Sequence, residues 1–280
     1  MTEELDTDGD ILAERLDVGD DVAEKSDFKF RSDEEIALDP KSLGYIPLRV
    51  VNRTFQTTHD TSILLKAIGG KDSILKMTDI FYKKAFRDSI LTKFIVDKND
   101  PHFSRLGNWI VEKMGGEGNI WSAERKERAK CPVSRILSNG EAHVVHDRSS
   151  AHYAAWFSPL RPKIEQGEHF QLHESRVWMR LMFLSAREAS LFQLCPSFET
   201  WFIRFIAHFV RVYEGTAPFF ARESARWSLD PANVASYLAN SCSMGSEVIG
   251  SGRGVRKEIA FSQIPFEEAT DYIWPYEQAD

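Results

Sequence analysis

Asp147-Arg148-Ser149-Ser150-Ala151-His152-Tyr153-Ala154-Ala155-Trp156 and, after a proline-containing detour, Glu174-Ser175-Arg176-Val177-Trp178-Met179-Arg180-Leu181-Met182-Phe183-Leu184-Ser185-Ala186 decide how the chain is read. The first run is a short helix carrying a single histidine. The second continues toward Phe192, with Val177, Leu181, Leu184 and Leu191 on one side and Trp178, Met182, Ser185 and Ala189 on the other. A helix that is apolar on two faces is sandwiched between other elements rather than laid on a surface. Between the runs, Ser158-Pro159 and Arg161-Pro162 exclude regular helix, because proline lacks an amide hydrogen and restrains the residue before it.

Toward the N-terminus the pattern stays helical. Ser62 to Ile68 reads as a short apolar helix stopped by Gly69-Gly70, where glycine takes positive φ at no steric cost. Asp72 or Ser73 then caps a second helix with Leu75, Ile80, Phe81 and Phe86, which extends toward Ser89 and carries Tyr82. Asn99-Asp100-Pro101 opens a third, with Pro101 in its first turn. His102, Leu106 and Trp109-Ile110 share one face of that helix before Gly115-Gly116 ends it. Toward the C-terminus, Ser197 opens a helix with Phe198, Trp201-Phe202, Phe205-Ile206, Phe209 and Val212-Tyr213 that runs to near Gly215, and Asp230 to Ser241 has the pattern of another. Residues 117 to 147, with Pro132 and Asn139-Gly140, and residues 157 to 170 read as irregular surface insertions. No segment shows convincing period-two alternation, so the expected fold class is all-α.

The 280 residues are 42% hydrophobic, enough for a sizeable core. Their charge is uneven. Residues 1 to 40 hold 15 Asp or Glu and 4 Lys or Arg, a net of −11, whereas the remaining 240 hold 27 acids and 31 bases, a net of +4. Residues 1–45 are therefore expected to be an acidic disordered tail, too poor in apolar surface to offset the entropy of ordering; Ile11-Leu12 and Leu16 make at most one amphipathic turn in it. Residues 46–215 are the expected folded domain, and 216–280, with Pro218, Pro231 and a glycine-rich run at 245 to 254, a C-terminal extension of unassigned role. No basic, aromatic-interleaved patch points to nucleic acid. No apolar run is long enough to cross a bilayer, and the acidic N-terminus is unlike a leader, so a cytoplasmic protein is expected. Cys131, Cys195 and Cys242 are far apart and form no Cys-x-x-Cys pair, which suggests reduced thiols.

A histidine ending a short helix beside a long aromatic one can place a neutral imidazole under a flat apolar ligand, of which haem is the first candidate. Taken together, the elements resemble a group II truncated haemoglobin, a short globin of the two-over-two helical type. Gly69-Gly70 ends the first helix and Phe81-Tyr82 follows at the family's spacing. The run from Phe103 to Gly116 looks like the distal helix with its terminal Gly-Gly, and Trp121-Ser122 follows as an aromatic-Ser pair does there. Arg148 to Trp156 resembles the short proximal helix with its single histidine, and Glu174 to Met182 the next helix, including the tryptophan that marks group II. The resemblance covers roughly residues 62 to 214.

The resemblance implies haem b, with His152 as the proximal iron ligand. It implies that Tyr82 and Trp178 donate to a bound diatomic ligand, that His102 and Leu106 face the sixth coordination site, and that Phe94 or Ile95 packs on the ring edge. Arg148 is the candidate cation for the haem propionates. Phenol and indole suit their role because each joins a large apolar body to one polar tip. This sequence departs from the family in placing a histidine at 102, which would donate to the ligand or bind iron itself, and Ala151 before the proximal histidine, where an arginine is usual. His143, His146, His169 and His173 compete with His152 for the proximal role. Outside the resemblance, Tyr82, Leu106, Trp109 and Trp178 would be ordinary core residues, His59 and His208 structural, and Arg187, Glu188 and Arg204 solvated or paired on helix faces.

The expected function is reversible binding of O2, NO or CO at histidine-ligated iron, with nitric oxide dioxygenation or peroxidase-type chemistry supported by a reductase partner as the enzymatic extension. A haem-based sensor lacks an output domain of recognisable size. The rival reading is a haem-free, globin-like helical interaction protein whose acidic tail or C-terminal extension recruits a partner.

Overall fold

The computed structural model describes residues 39–129, 133–136, 142–145, 151–245, 248 and 275, and over these the chain is mostly helical. Helix α1 (His59–Ala67) starts earlier than Ser62 because the cap lies upstream: the Thr58 hydroxyl accepts the Thr61 amide at 3.2 Å while the Thr61 hydroxyl accepts the Thr58 amide at 3.1 Å. Gly69 and Gly70 take φ of 91° and 74°, as expected of the glycine pair. They turn the chain so sharply that α2 (Gly70–Ala85) begins on Gly70 itself, with Asp72 in its first turn rather than at its cap. It ends before Ser89 because the Asp88 carboxylate takes the amides of Ile90 and Leu91, at 2.9 and 2.8 Å, and caps the 3-10 turn Leu91–Phe94 instead. Helix α3 (His102–Lys113) has Pro101 at its cap, one position earlier than expected.

Residues 117 to 147 are not irregular throughout. They hold α4 (Ile120–Ala129) and an antiparallel hairpin, with Val133 opposite Val145 and Ile136 opposite Ala142; a second hairpin pairs β1 (Val50–Val51) with β2 (Thr54–Phe55). In chain order the later pair is β3 (Val133–Ile136) and β4 (Ala142–Val145). Strands of two and four residues are too short for alternation to register. The turn chemistry was the better guide: Asn139-Gly140 falls between β3 and β4, and Asn52 and Arg53, at φ of 49° and 66°, form the positive-φ pair that a two-residue hairpin loop requires.

After α5 (Ala151–Trp156) comes α6 (Leu172–Glu188), which is buried nearly all round, as its two apolar faces imply. It packs on α2 along one side and on α9 (Ala221–Trp227) along the other. The helical run ends sooner than Phe192 because Ser190 adopts φ 64°, which breaks off the short α7 (Leu191–Leu194). Helix α8 (Pro196–Val210) starts with Pro196 in its first turn and stops short of Gly215; α10 (Pro231–Ala239) is capped by Asp230, whose carboxylate accepts the Ala232 amide at 2.8 Å.

The described part of 216–280 is integral to the body. Phe220, Trp227, Tyr237, Met244 and Val248 lie in the same apolar core as Leu64, Phe81, Ile110 and Phe202. Glu223 on α9 bonds Arg180 and lies 3.4 Å from Arg176, so the cations on the second face of α6 enter the interior with a counter-charge. Among the described residues no helix is long and apolar enough to cross a membrane. The acidic segment 1–38 and Arg148 lie outside them.

Candidate functional site

Helices α2, α3 and α6 bring Tyr82, His102 and Trp178 to one aromatic cluster. The Tyr82 ring stacks on His102 with centroids 5.4 Å apart and planes 21° apart, and Phe86 meets the same imidazole edge-on at 6.2 Å. Buried Phe81 bridges the helices: its ring lies 5.1 Å from Tyr82 and 5.5 Å from Trp178. Tyr82, Leu106 and Trp178 are each half-buried, packed on the core on one side and accessible on the other. Neither the Tyr82 hydroxyl nor the Trp178 indole N–H makes a hydrogen bond among the described residues. Desolvation by burial pushes the Tyr82 phenol well above its ordinary pKa, despite the nearby Arg105 charge, so it stays a protonated donor.

His102 is anchored through one ring nitrogen. Its Nε2 lies 2.8 Å from the Asp97 carbonyl oxygen, and a carbonyl can only accept, so Nε2 carries a proton; Nδ1 lies 3.9 Å from an Asp100 carboxylate oxygen. The backbone contact holds the imidazole in its stack on Tyr82.

His152, on α5, sits in a second aromatic group. Its ring is 4.2 Å from Tyr213 and 5.8 Å, edge-on, from Phe170; Phe170 in turn meets Phe94 at 5.1 Å. More than a third of His152 is accessible to water, yet desolvation is the cause that lowers its pKa from 6.5 to about 4. The imidazole is therefore neutral at pH 7. It makes no hydrogen bond among the described residues, leaving a ring lone pair available.

Phe94 is half-buried beside Phe170, whereas Ile95 faces the core. The turn bearing Phe94 is tied to the segment after α5, because the Ser158 hydroxyl donates to the Lys93 carbonyl at 2.6 Å. Of the competing histidines, His169 stacks on Trp156 at 4.1 Å, and His173, at the start of α6, is pulled down to about pKa 4 by burial and by Lys93 and Arg161. His143 lies on β4 and His146 lies outside the described residues. His208 is buried against Phe209, and Arg187, Glu188 and Arg204 are engaged with Glu199, Lys84 and the Tyr45 ring, as expected of structural residues. Phe170 and Tyr213, which wall His152, were not singled out as site residues in sequence: Phe170 falls in the irregular segment, and Tyr213 counts there only as an apolar helix position.

Beside this group lies a buried carboxyl. Arg161 and Glu174 approach to 3.6 Å with both side chains almost wholly buried, too long for a hydrogen bond, while Arg161 Nη1 donates to the Trp156 and Glu168 carbonyls at 3.1 and 2.7 Å. With the guanidinium so engaged, desolvation outweighs it and lifts Glu174 to about 7, although the carboxylate also accepts the Gln171 amide at 2.6 Å. Among the described residues no group of three or more His, Cys, Asp or Glu side chains is placed to hold a bare metal ion. Comparison of the chain with protein families, with curated proteins and with solved structures finds no match.

Proposed function

We propose that the chain is a globin-like haem b protein that binds O2 or another diatomic ligand, with His152 as the iron ligand. The observation that carries this reading is a neutral imidazole, walled by aromatic rings, with an accessible face and no hydrogen bond among the described residues. The donor set fits the group. One imidazole lone pair can coordinate, Phe94 and Phe170 offer flat apolar contact, and Tyr82 and Trp178 hold donors unused by the described protein. Haem, when bound, would supply an iron centre for the diatomic ligand. Tyr82 and Trp178 would donate to the partial negative charge on that ligand and slow its release. His102 would keep the Tyr82 ring in place. Redox or nitric-oxide-detoxifying activity, with a reductase partner, extends the same reading.

The test is the absorption spectrum of the reduced, haemin-supplied protein beside His152→Ala and His102→Ala. Loss of haem or of the iron–imidazole signature in His152→Ala alone is expected, with His102→Ala unchanged in coordination because its Nε2 is held by the Asp97 carbonyl. A protein indifferent to haemin, or a spectrum indifferent to His152, would overturn the reading and leave the helical interaction protein in its place.

A further inference from the structure

A groove of about 270 Å³ runs between α2, α6 and α10, on the side of α2 away from Tyr82. Its walls are aliphatic: Ile80, Leu184, Val234 and Leu238, the last 54% exposed. One margin is basic, with Lys83 and Lys84 in the last turn of α2 and Arg87 two residues beyond its end, while Glu188 is the single acid lining it. Lys83 pairs with Asp79 at 2.6 Å and Lys84 with Glu188 at 2.8 Å. The Arg87 guanidinium has no partner among the described residues. An aliphatic wall ending in exposed Leu238, in one groove with an uncommitted guanidinium, is complementary to a molecule with an apolar body and one anionic end.

We propose that this groove binds a straight-chain acyl carboxylate, its chain along Ile80, Leu184, Val234 and Leu238 and its carboxylate at Arg87. Size argues for a single chain, because 270 Å³ lies near the lower end of small-molecule sites, which begin at roughly 300 Å³. The walls argue for an aliphatic one. Tyr237 is the one aromatic residue lining the groove, and its hydroxyl is already committed to Asp88 at 3.0 Å. Arg87 suits the head group because its planar fork can take both carboxylate oxygens.

Calorimetric titration of the full chain with octanoate, decanoate and dodecanoate tests the assignment. Affinity is expected to rise about threefold per added methylene while the chain still finds wall to cover. Arg87→Glu and Leu238→Asp change exposed side chains and should keep the wild-type unfolding midpoint, yet each should weaken decanoate at least about tenfold, the scale of one lost charge-assisted contact. Decyltrimethylammonium, of opposite charge, should not bind. Absence of decanoate binding would overturn the proposal, as would equal binding by Arg87→Glu or by the cationic amphiphile. So would binding that is lost in Tyr82→Ala and kept in Arg87→Glu, which would put the chain against the aromatic cluster of α2, α3 and α6 instead.

Discussion

Tyr82 shows how a residue's role is read from what it does not touch. A half-buried phenol on a helix normally finds an internal partner, because an unsatisfied polar group out of water costs roughly 1–3 kcal/mol. Here the ring is stacked under His102 and the hydroxyl is left over. Replacing Tyr82 by Phe is therefore expected to leave thermal stability unchanged within about 0.5 kcal/mol, since no described bond is removed. If the hydroxyl serves a bound ligand, the same change should speed O2 release ten- to a hundredfold, the equivalent of about 1.5–3 kcal/mol for a bond to a charged acceptor, as stopped-flow displacement would show. Unchanged release with unchanged stability would remove Tyr82 from the site. In the sequence, Tyr82, Trp178 and Phe94 are candidates only through the resemblance; the fold adds that Tyr82 and Trp178 meet across Phe81. The anchoring of His102 is not legible there, since it depends on how the Asp97-to-Pro101 turn folds back.

Elements set the strain and the pH response. Where α3 ends, Gly115 holds φ at 85°, and a Cβ there would lie 2.2 Å from the Ser62 hydroxyl of α1. Gly115→Ala should cost about 1–3 kcal/mol in denaturant unfolding, combining a left-handed backbone with a close approach that Gly-Gly in the sequence announced. Two opposing titrations overlap, one at the start of α6 and one on α8. Glu174, raised from 4.5 to about 7, binds more protons folded than unfolded between those values, so it subtracts stability as pH rises through that window. Buried His208, lowered from 6.5 to about 4 by desolvation and then by Arg211, binds fewer protons folded, so its stability is lost as pH falls from 6.5 toward 4. His173 acts in the same sense. The contributions offset one another between pH 4.5 and 6.5. Glu174→Gln should unmask the histidines, making unfolding free energy climb with pH across that window by about 1–2 kcal/mol more than in wild type. A parallel pair of stability curves would mean that Glu174 does not titrate there. None of this was legible beforehand, because Glu174 and Arg161 meet only once the proline-containing detour has folded.

The division of the whole molecule was the least legible part. The sequence expectation closed the folded body at Gly215 because Pro218, Pro231 and the glycine-rich run at 245 to 254 look like a boundary. What it lacked was the destination of the apolar residues between those prolines. Helix α6, apolar on both faces, announced a partner on each side without naming it, and α9 turns out to be one of them. The consequence can be weighed. Phe220, Trp227 and Tyr237 are buried in the common core, and truncating a buried aromatic costs about 3–5 kcal/mol, against roughly 5–15 kcal/mol for a whole domain. Glu223 also leaves with this segment, exposing the charges of Arg176 and Arg180 to an apolar surround, and removing one partner of a buried pair is itself worth about 3–5 kcal/mol. Ending the chain at Gly215 should therefore abolish cooperative unfolding altogether, seen as a sloping, featureless thermal melt with near-ultraviolet dichroism lost. Trp227→Ala alone should lower the midpoint while keeping one transition. A chain ended at Gly215 that melted as sharply as the full protein would show the opposite: that residues 46–215 are a self-standing unit and that α9 and α10 merely rest on it.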